Sequence, residues 1–159
     1  MKTFGKAVTR GTALAVVMAL AVGTAWASEF SEKVERIFSP SVIKSINESG
    51  TNGEVAFKVP ERMPDYFESG DKANKVLAIE SVRVFRDVPG LERLKLKVPQ
   101  GATERVLDVS RADVESYYKV SFSEMNSDPN AWRTKFIQNY DNKESRADFV
   151  ERFATTSKP

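Results

Sequence analysis

The stretch VLAIESVRVFRDVPGLERLKLKVPQGATERVLDVS, residues 76–110, decides how the fold is predicted. Its first ten residues, 76–85, are β-prone and almost continuously apolar, which is typical of a central strand covered on both faces. Pro89 presets one backbone torsion and Gly90 tolerates a positive one, so DVPG predicts a turn directly after that strand. We therefore expect residues 76–85 to lie at the centre of a sheet.

Two further strands are predicted within the same stretch, the first of them by clean alternation. Residues 91–98 place basic side chains on one side of a strand and apolar ones on the other, namely Leu94, Leu96 and Val98. A third strand follows over 103–109, after the turn residues PQGA. Because the connections are short, these three strands should form an antiparallel meander. Residues 55–59 also alternate and predict a fourth strand at an edge of the sheet that the sequence does not identify.

Helices are predicted before the sheet. The first carries one apolar stripe, made of Phe30, Val34, Ile37 and Phe38. Ser39 as a cap and Pro40 in the first turn then predict a second short helix. The apolar side of that second helix would be Val42, Ile43 and Ile46.

Helices are also predicted after the sheet. One should run over 111–119, and two aromatic stripes within 132–140 and 149–153 predict a C-terminal helical hairpin. The last five residues, 155–159, are expected to be frayed. The chain is thus predicted to be α+β, with a small antiparallel sheet of three to four strands packed with N-terminal helices and the C-terminal hairpin.

The tetrapeptide SRAD occurs twice, at 110–113 and at 145–148. A serine at a helix N-cap accepts a hydrogen bond from a backbone amide of the first turn, and an aspartate there lies near the positive end of the helix. We therefore interpret both copies as helix starts rather than as a duplicated functional unit or a chance repeat. Replacing Ser145 by alanine is then expected to lower stability by about 1 kcal/mol.

The N-terminus has the pattern of a cleavable secretory signal. Three basic residues, Lys2, Lys6 and Arg10, precede an uncharged run over 11–22. Small residues at Ala25 and Ala27 predict cleavage before Ser28. The alternative is an uncleaved membrane anchor, although the apolar run is shorter than the roughly twenty residues of a spanning helix. We expect a bacterial periplasmic or secreted protein with a single domain over 28–159 and no transmembrane segment after cleavage.

Composition excludes several classes of protein. There is no cysteine and no histidine in the sequence, so disulfides, Ser-His-Asp and Cys-His catalysis and the usual zinc ligand sets are all excluded. Removing the predicted signal leaves 21 basic against 22 acidic residues, and no basic cluster that would favour nucleic acid. No calcium-loop, phosphate-loop or dinucleotide pattern is present, so we expect no metal and no cofactor.

Glu80 is the one candidate for acid-base catalysis, because it stands inside the most apolar segment of the chain. A carboxyl buried there would have a raised pKa and could act as an acid or a base. The alternatives are an ion pair with Arg93 or Arg105 across the sheet, or a position facing water at a bend.

Two sets of residues are candidates for binding. The long loop between the strand at 55–59 and residue 76 carries three apolar side chains, Met63, Tyr66 and Phe67, which would cover the core or contact a ligand. The basic row of the predicted second strand is formed by Arg93, Lys95 and Lys97. This row could meet anionic lipid headgroups or polysaccharide, or it could be a solvated face paired with Glu104 and Asp108.

Function is predicted mainly by elimination. The leading hypothesis is an exported, non-catalytic envelope protein that binds another protein or a cell-envelope component. One alternative is a small hydrolase that works through Glu80. The other is a carrier of a small apolar ligand, which would need an apolar cavity of several hundred Å³ between the sheet and the helices.

Overall fold

The computed structural model describes residues 22–159. The apolar run of the predicted signal peptide lies outside these residues for all but its last position. No helix within 22–159 has the length and apolarity required to cross a membrane. The strands are β1 (Ile43–Ser49), β2 (Asn52–Phe57), β3 (Arg93–Gln100), β4 (Thr103–Ser110) and β5 (Ala154–Ser157). The helices are α1 (Val22–Ile37), α2 (Lys72–Lys75), α3 (Ser81–Asp87), α4 (Arg111–Tyr118), α5 (Phe122–Ser127), α6 (Pro129–Ala131), α7 (Gln138–Tyr140) and α8 (Lys143–Phe153). A π-helical segment (Trp132–Ile137) joins α6 to α7 without a break.

The five strands form one mixed sheet in the order β1-β2-β3-β4-β5. Neighbouring strands are antiparallel except β2 and β3, which are parallel. The α+β class is confirmed, but the sheet is larger than predicted and is not purely antiparallel. The strands predicted over 91–98 and 103–109 are both present, as β3 and β4.

The predicted central strand over 76–85 is wrong, because this segment is helical. α2, a π-helical segment (Val76–Glu80) and α3 follow one another without a break and form the central helix, residues 72–87. The four residues from Val76 to Ile79 are all buried, since the central helix contacts both α1 and α8. A helical segment that is enclosed in this way is apolar on every side, whereas the central helix outside this segment also carries charged residues such as Lys72 and Arg83. It also provides the crossover that parallel pairing of β2 and β3 requires.

The second predicted N-terminal helix is also wrong beyond its first turn. Pro40–Val42 is a single 3-10 turn capped by Ser39, and β1 begins immediately after it. Ile43 and Ile46 are three residues apart, a spacing that suggested a helix. A β-bulge between Ile43 and Ser45 shifts the register, so that both isoleucines pair with alternate residues of β2. β2 itself lies inside the sheet, not at an edge.

One face of the sheet packs on the helices and the other faces solvent. The apolar residues of β3 are completely buried on the helical face, while its basic residues lie on the open face. α1 crosses β2 so closely that a Cβ atom on Gly53 would lie 2.3 Å from the ring of Phe30. The predicted stripe of α1 is confirmed, with Phe30, Val34 and Phe38 buried.

The C-terminal helical hairpin is confirmed, and its aromatic residues pack on α4. Tyr118 lies at the centre of this cluster, with ring centroids 5.0 Å from Phe136 and 5.1 Å from Phe149. Burial raises the pKa of the Tyr118 phenol, which donates to the carbonyl oxygen of Ala78 at 3.3 Å. The frayed C-terminus predicted over 155–159 is wrong for most of its length, because β5 pairs with β4.

Candidate functional site

A cleft of about 230 Å³ opens where the long loop meets the central helix and the end of α1. It brings together three residues that the sequence singled out, since Tyr66 and Phe67 come from the loop and Glu80 from the central helix. The remaining lining residues are Ile37, Phe38, Ser39, Val42, Phe57, Lys72, Lys75 and Val76. We call this region the aromatic cleft.

The aromatic floor of the cleft is built by edge-to-face contacts between rings from three parts of the chain. The ring of Phe57 on β2 lies 4.8 Å from that of Phe38 and 6.0 Å from that of Phe67. Phe67 is only 4% exposed, so it fixes the loop onto the core. Tyr66 stands over it, with 4.9 Å between the ring centroids, and stays partly exposed. Its position therefore follows from the packing of Phe67.

Two lysines line the cleft beside Tyr66. Lys72 and Lys75 are three residues apart in α2, a spacing that places side chains next to one another on one helix face. The Lys72 ammonium lies 4.1 Å from the centroid of the Tyr66 ring, a cation–π contact. Lys75 approaches Asp141 only to 3.9 Å. Neither lysine was singled out from the sequence, because nothing local shows that two ordinary helix residues will line a cleft.

Glu80 lies at the end of the π-helical segment and not on a strand, so the predicted ion pair with Arg93 or Arg105 across the sheet is wrong. Its side chain is 14% exposed and its Oε2 lies 3.2 Å from Nη1 of Arg83. That contact lacks hydrogen-bond geometry, and Oε2 is buried without a hydrogen-bond donor among the described residues. Burial raises the pKa of Glu80, and Arg83 and Lys75 only partly oppose the shift.

Met63 belongs to the same loop but lies outside the aromatic cleft. It is 48% exposed and lines a separate depression of about 460 Å³ together with Lys58, Val59 and Arg62. The loop thus presents two distinct surfaces. Tyr66 and Phe67 face the cleft, whereas Met63 faces solvent near the end of β2.

The basic row of β3 lies on the open face of the sheet and is paired with acids there. Nε of Arg93 donates to Asp108 at 2.7 Å. This bond agrees with the alternative in which the basic row is a solvated face paired with acids of the next strand. Lys97 donates to Glu54 at 2.8 Å, and Lys95 lies 3.9 Å from the same carboxylate. Glu54 stands on β2, which was not recognised as the neighbour of β3. Hydrogen bonding to Asp108 raises the pKa of Arg93, and hydrogen bonding to Glu54 raises that of Lys97.

No group of three acidic side chains that could hold a metal ion occurs in the described part of the chain. The candidate binding residues are therefore divided among three places, namely the aromatic cleft, the Met63 depression and the paired charges of the open face. Of these three places, only the cleft combines aromatic walls, two lysines and a desolvated carboxyl. Such an arrangement can bind a small polar or charged group by ionic and cation–π contacts.

Comparison with protein-family models, with curated proteins and with solved structures gives no match for this chain.

Proposed function

We propose that the protein is an exported, non-catalytic binding module of the bacterial cell envelope, and that it holds its ligand in the aromatic cleft. The observation that carries the proposal is the setting of Lys72, a partly buried lysine that contacts the ring of Tyr66 and forms no ion pair with any described residue. A lysine that lines a cleft without an ionic partner there is available to a ligand.

Export is supported by the basic, apolar and small-residue segments of the N-terminus, and it has its own test. The full chain is expressed in a bacterium and the cells are fractionated. We expect a periplasmic form whose N-terminal sequence starts at Ser28. Recovery of the uncleaved chain in the cytoplasm alone would contradict the proposed location.

Binding through the cleft is tested with two variants of one loop. Tyr66→Ala removes the ring under the Lys72 ammonium, and Met63→Ala is the matched control, because Met63 lies outside the cleft. The chain from Ser28 onward is immobilised and exposed to envelope extract. We expect wild type and Met63→Ala to retain the same component and Tyr66→Ala to lose it. Retention of nothing by wild type, or of the same component by both variants, argues against the cleft.

A hydrolase that works through Glu80 is the second candidate, because a carboxyl with a raised pKa in a cleft is typical of a general acid or base. Glu80 is the only carboxylate lining the cleft among the described residues, so no acid-base pair is present there. Activity against ester, amide and glycoside substrates is measured for wild type and Glu80→Gln. Turnover that is lost in the variant while its unfolding midpoint is retained would favour the hydrolase, and unchanged turnover would exclude this role of Glu80.

A carrier of a small apolar ligand is the third candidate, and the packing of the core gives it less support. Buried side chains of the central helix, the sheet and the C-terminal hairpin belong to one continuous core cluster between the sheet and the helices. The aromatic cleft is an open surface feature whose rim carries charged groups. Such a site is better suited to a polar or charged ligand.

A further inference from the structure

Basic side chains at the aromatic cleft have fewer close acidic partners than several basic side chains elsewhere in the described residues. Several partly buried basic side chains away from the cleft have close partners, as in the bond of 2.8 Å from Arg146 to Asp71 and that of 2.6 Å from Arg86 to Asp87. Among the described residues, Lys72 contacts the ring of Tyr66 and forms no ion pair, and Lys75 has Asp141 at 3.9 Å. Two neighbouring ammonium groups therefore lie at one cleft without a close acidic partner in the described part of the chain.

The negative charge in the cleft is already opposed. Glu80 is held against Arg83, and its carboxyl is largely desolvated. With Lys72 and Lys75 counted against Glu80, the lining of the cleft carries an excess of positive charge. The charge complementarity therefore favours an anionic ligand over a cationic one.

The size of the cleft limits the ligand. About 150 Å³ is enough to hold a benzene ring in a dry cavity. The aromatic cleft, at about 230 Å³, has room for one ring and a small head group. Drug-sized ligands occupy larger pockets, of roughly 300 Å³ and more.

We propose that the aromatic cleft binds a small organic anion, with a carboxylate or phosphate group against Lys72 and Lys75 and a compact apolar body against the aromatic walls. This rests on the proposed binding role of the cleft and assigns the class of its ligand. Lys72 is held in place by Tyr66, so the ammonium is positioned before the anion arrives.

The proposal is tested by NMR titration of the chain from Ser28 onward, with backbone amide shifts as the readout. Phenylacetate, phenyl phosphate and the neutral phenylacetamide serve as probes at millimolar concentrations. We expect at least one of the two anions to give saturable shifts at Tyr66 and Lys72, and the stronger of the two identifies the head group. Phenylacetamide should bind about tenfold more weakly or not at all.

The double variant Lys72→Gln, Lys75→Gln should weaken anion binding by about tenfold or more. Lys119→Gln is the matched control, because Lys119 is exposed and lies outside the cleft. Well-dispersed spectra establish that both variants are folded. Equal affinity for phenylacetamide and the anions, equal weakening by both substitutions, or no shift at the cleft amides with either anion would overturn the proposal.

Glu80 supplies a second readout. Its carboxyl faces Arg83, Lys75 and Arg86, and Asp141 lies close enough to raise its pKa further. Taking up a proton removes the negative charge from the cleft, so the affinity for phenylacetate should increase as the pH is lowered from neutral over a range in which phenylacetate itself stays ionised. The increase should be absent in Glu80→Gln. An equal increase in both proteins would contradict the placement of the anion beside Glu80.

The two proposals fail separately. If wild type captures an envelope component through Tyr66 but binds neither anion, the ligand class assigned here is wrong and the binding module stands. If the anions bind in the cleft but the chain stays uncleaved in the cytoplasm, the envelope function is wrong and the ligand site stands.

Discussion

The two copies of SRAD have the same four residues and use them differently. At the first copy, Ser110 is the N-cap of α4, and its Oγ accepts a hydrogen bond from the amide of Asp113 at 3.1 Å. At the second copy, the N-cap of α8 is Asn142, three residues earlier, and its Oδ1 accepts from the amide of Ser145 at 2.9 Å. The interpretation of Ser110 as a cap is confirmed, and that of Ser145 is wrong.

The arginine of the motif has a similar role at both copies, because its guanidinium donates hydrogen bonds to residues outside its own helix. Arg111 donates to the carbonyl oxygens of Phe85 at 2.9 Å, of Val88 at 2.7 Å and of Leu91 at 2.7 Å. Arg146 donates to the carboxylates of two aspartates, Asp71 and Asp141. Each arginine thus ties its helix to a distant segment. The two SRAD copies therefore have in common the tertiary contacts of their arginine, although their serines do not share the role of helix cap.

Arg111 should give the largest effect, because its guanidinium donates to the carbonyl of Phe85 in the last turn of α3, where Pro89 offers no amide. It also donates to the carbonyls of Val88 and Leu91 just beyond the helix. Burial lowers the pKa of Arg111, yet the group stays charged because guanidinium titrates far above neutral pH. Arg111→Met should lower the free energy of unfolding by about 3 kcal/mol, since the carbonyls of Phe85 and Leu91 lose a charged donor and that of Val88 keeps only the bond from the Leu91 amide. Urea unfolding followed by circular dichroism measures the loss.

Arg111→Lys is the matched control for that substitution. A lysine keeps the charge but cannot reach three carbonyls with one planar group, so it should recover only part of the stability. Full recovery would show that charge near the end of α3, rather than the three hydrogen bonds, stabilises this junction.

Arg146 should give a smaller effect, of about 2 kcal/mol for Arg146→Met. Hydrogen bonds to Asp71 and Asp141 raise its pKa in spite of partial burial, and all three side chains are 15–20% exposed. The aspartates can therefore regain some water when the arginine is lost, and Asp71 keeps a bond from Asn74 at 2.6 Å. Urea unfolding again measures the change.

Arg133→Met is the control for Arg146, because Arg133 is exposed and forms no ion pair within the described residues. It should change stability by less than about 0.5 kcal/mol. Combining Arg146→Met with Asp141→Asn should cost less than the sum of the two single changes. Strict additivity would mean that the contact between Arg146 and Asp141 contributes nothing.

Alternation and capping predicted those parts of the fold that depend on local sequence. β3 lies where the alternation of Leu94, Leu96 and Val98 placed it, since one face of this strand is buried and the other is partly exposed, and β4 lies where the next strand was predicted. Residues 76–85 could not be assigned in this way, because a run of buried apolar residues such as Val76–Ile79 has no periodicity that separates a helix from a strand. The bulge near Ile43 depends on its pairing with β2, which no local pattern shows.

The candidate site could be predicted only in part, because local sequence patterns do not show which segments meet in the fold. Three residues of the site differ from their sequence neighbours and could be predicted for that reason. Tyr66 and Phe67 are aromatic residues in a polar loop, and Glu80 is an acid in an apolar segment. Their meeting in one cleft depends on the central helix, so a strand at 76–85 would have separated them. Lys72 and Lys75 could not be predicted as site residues, because nothing in their local sequence shows that the fold places them at the cleft.

The smallest effects compare the serines themselves. Ser110→Ala should lower the free energy of unfolding by about 1 kcal/mol, because it removes the acceptor for the Asp113 amide. Ser145→Ala should change it by less than about 0.5 kcal/mol, since the Ser145 side chain is not the cap. Asn142→Ala should cost about 1 kcal/mol, as the true cap of α8. If Ser145→Ala cost as much as Ser110→Ala, the assignment of Asn142 would be contradicted, and the two copies of SRAD would start their helices in the same way after all.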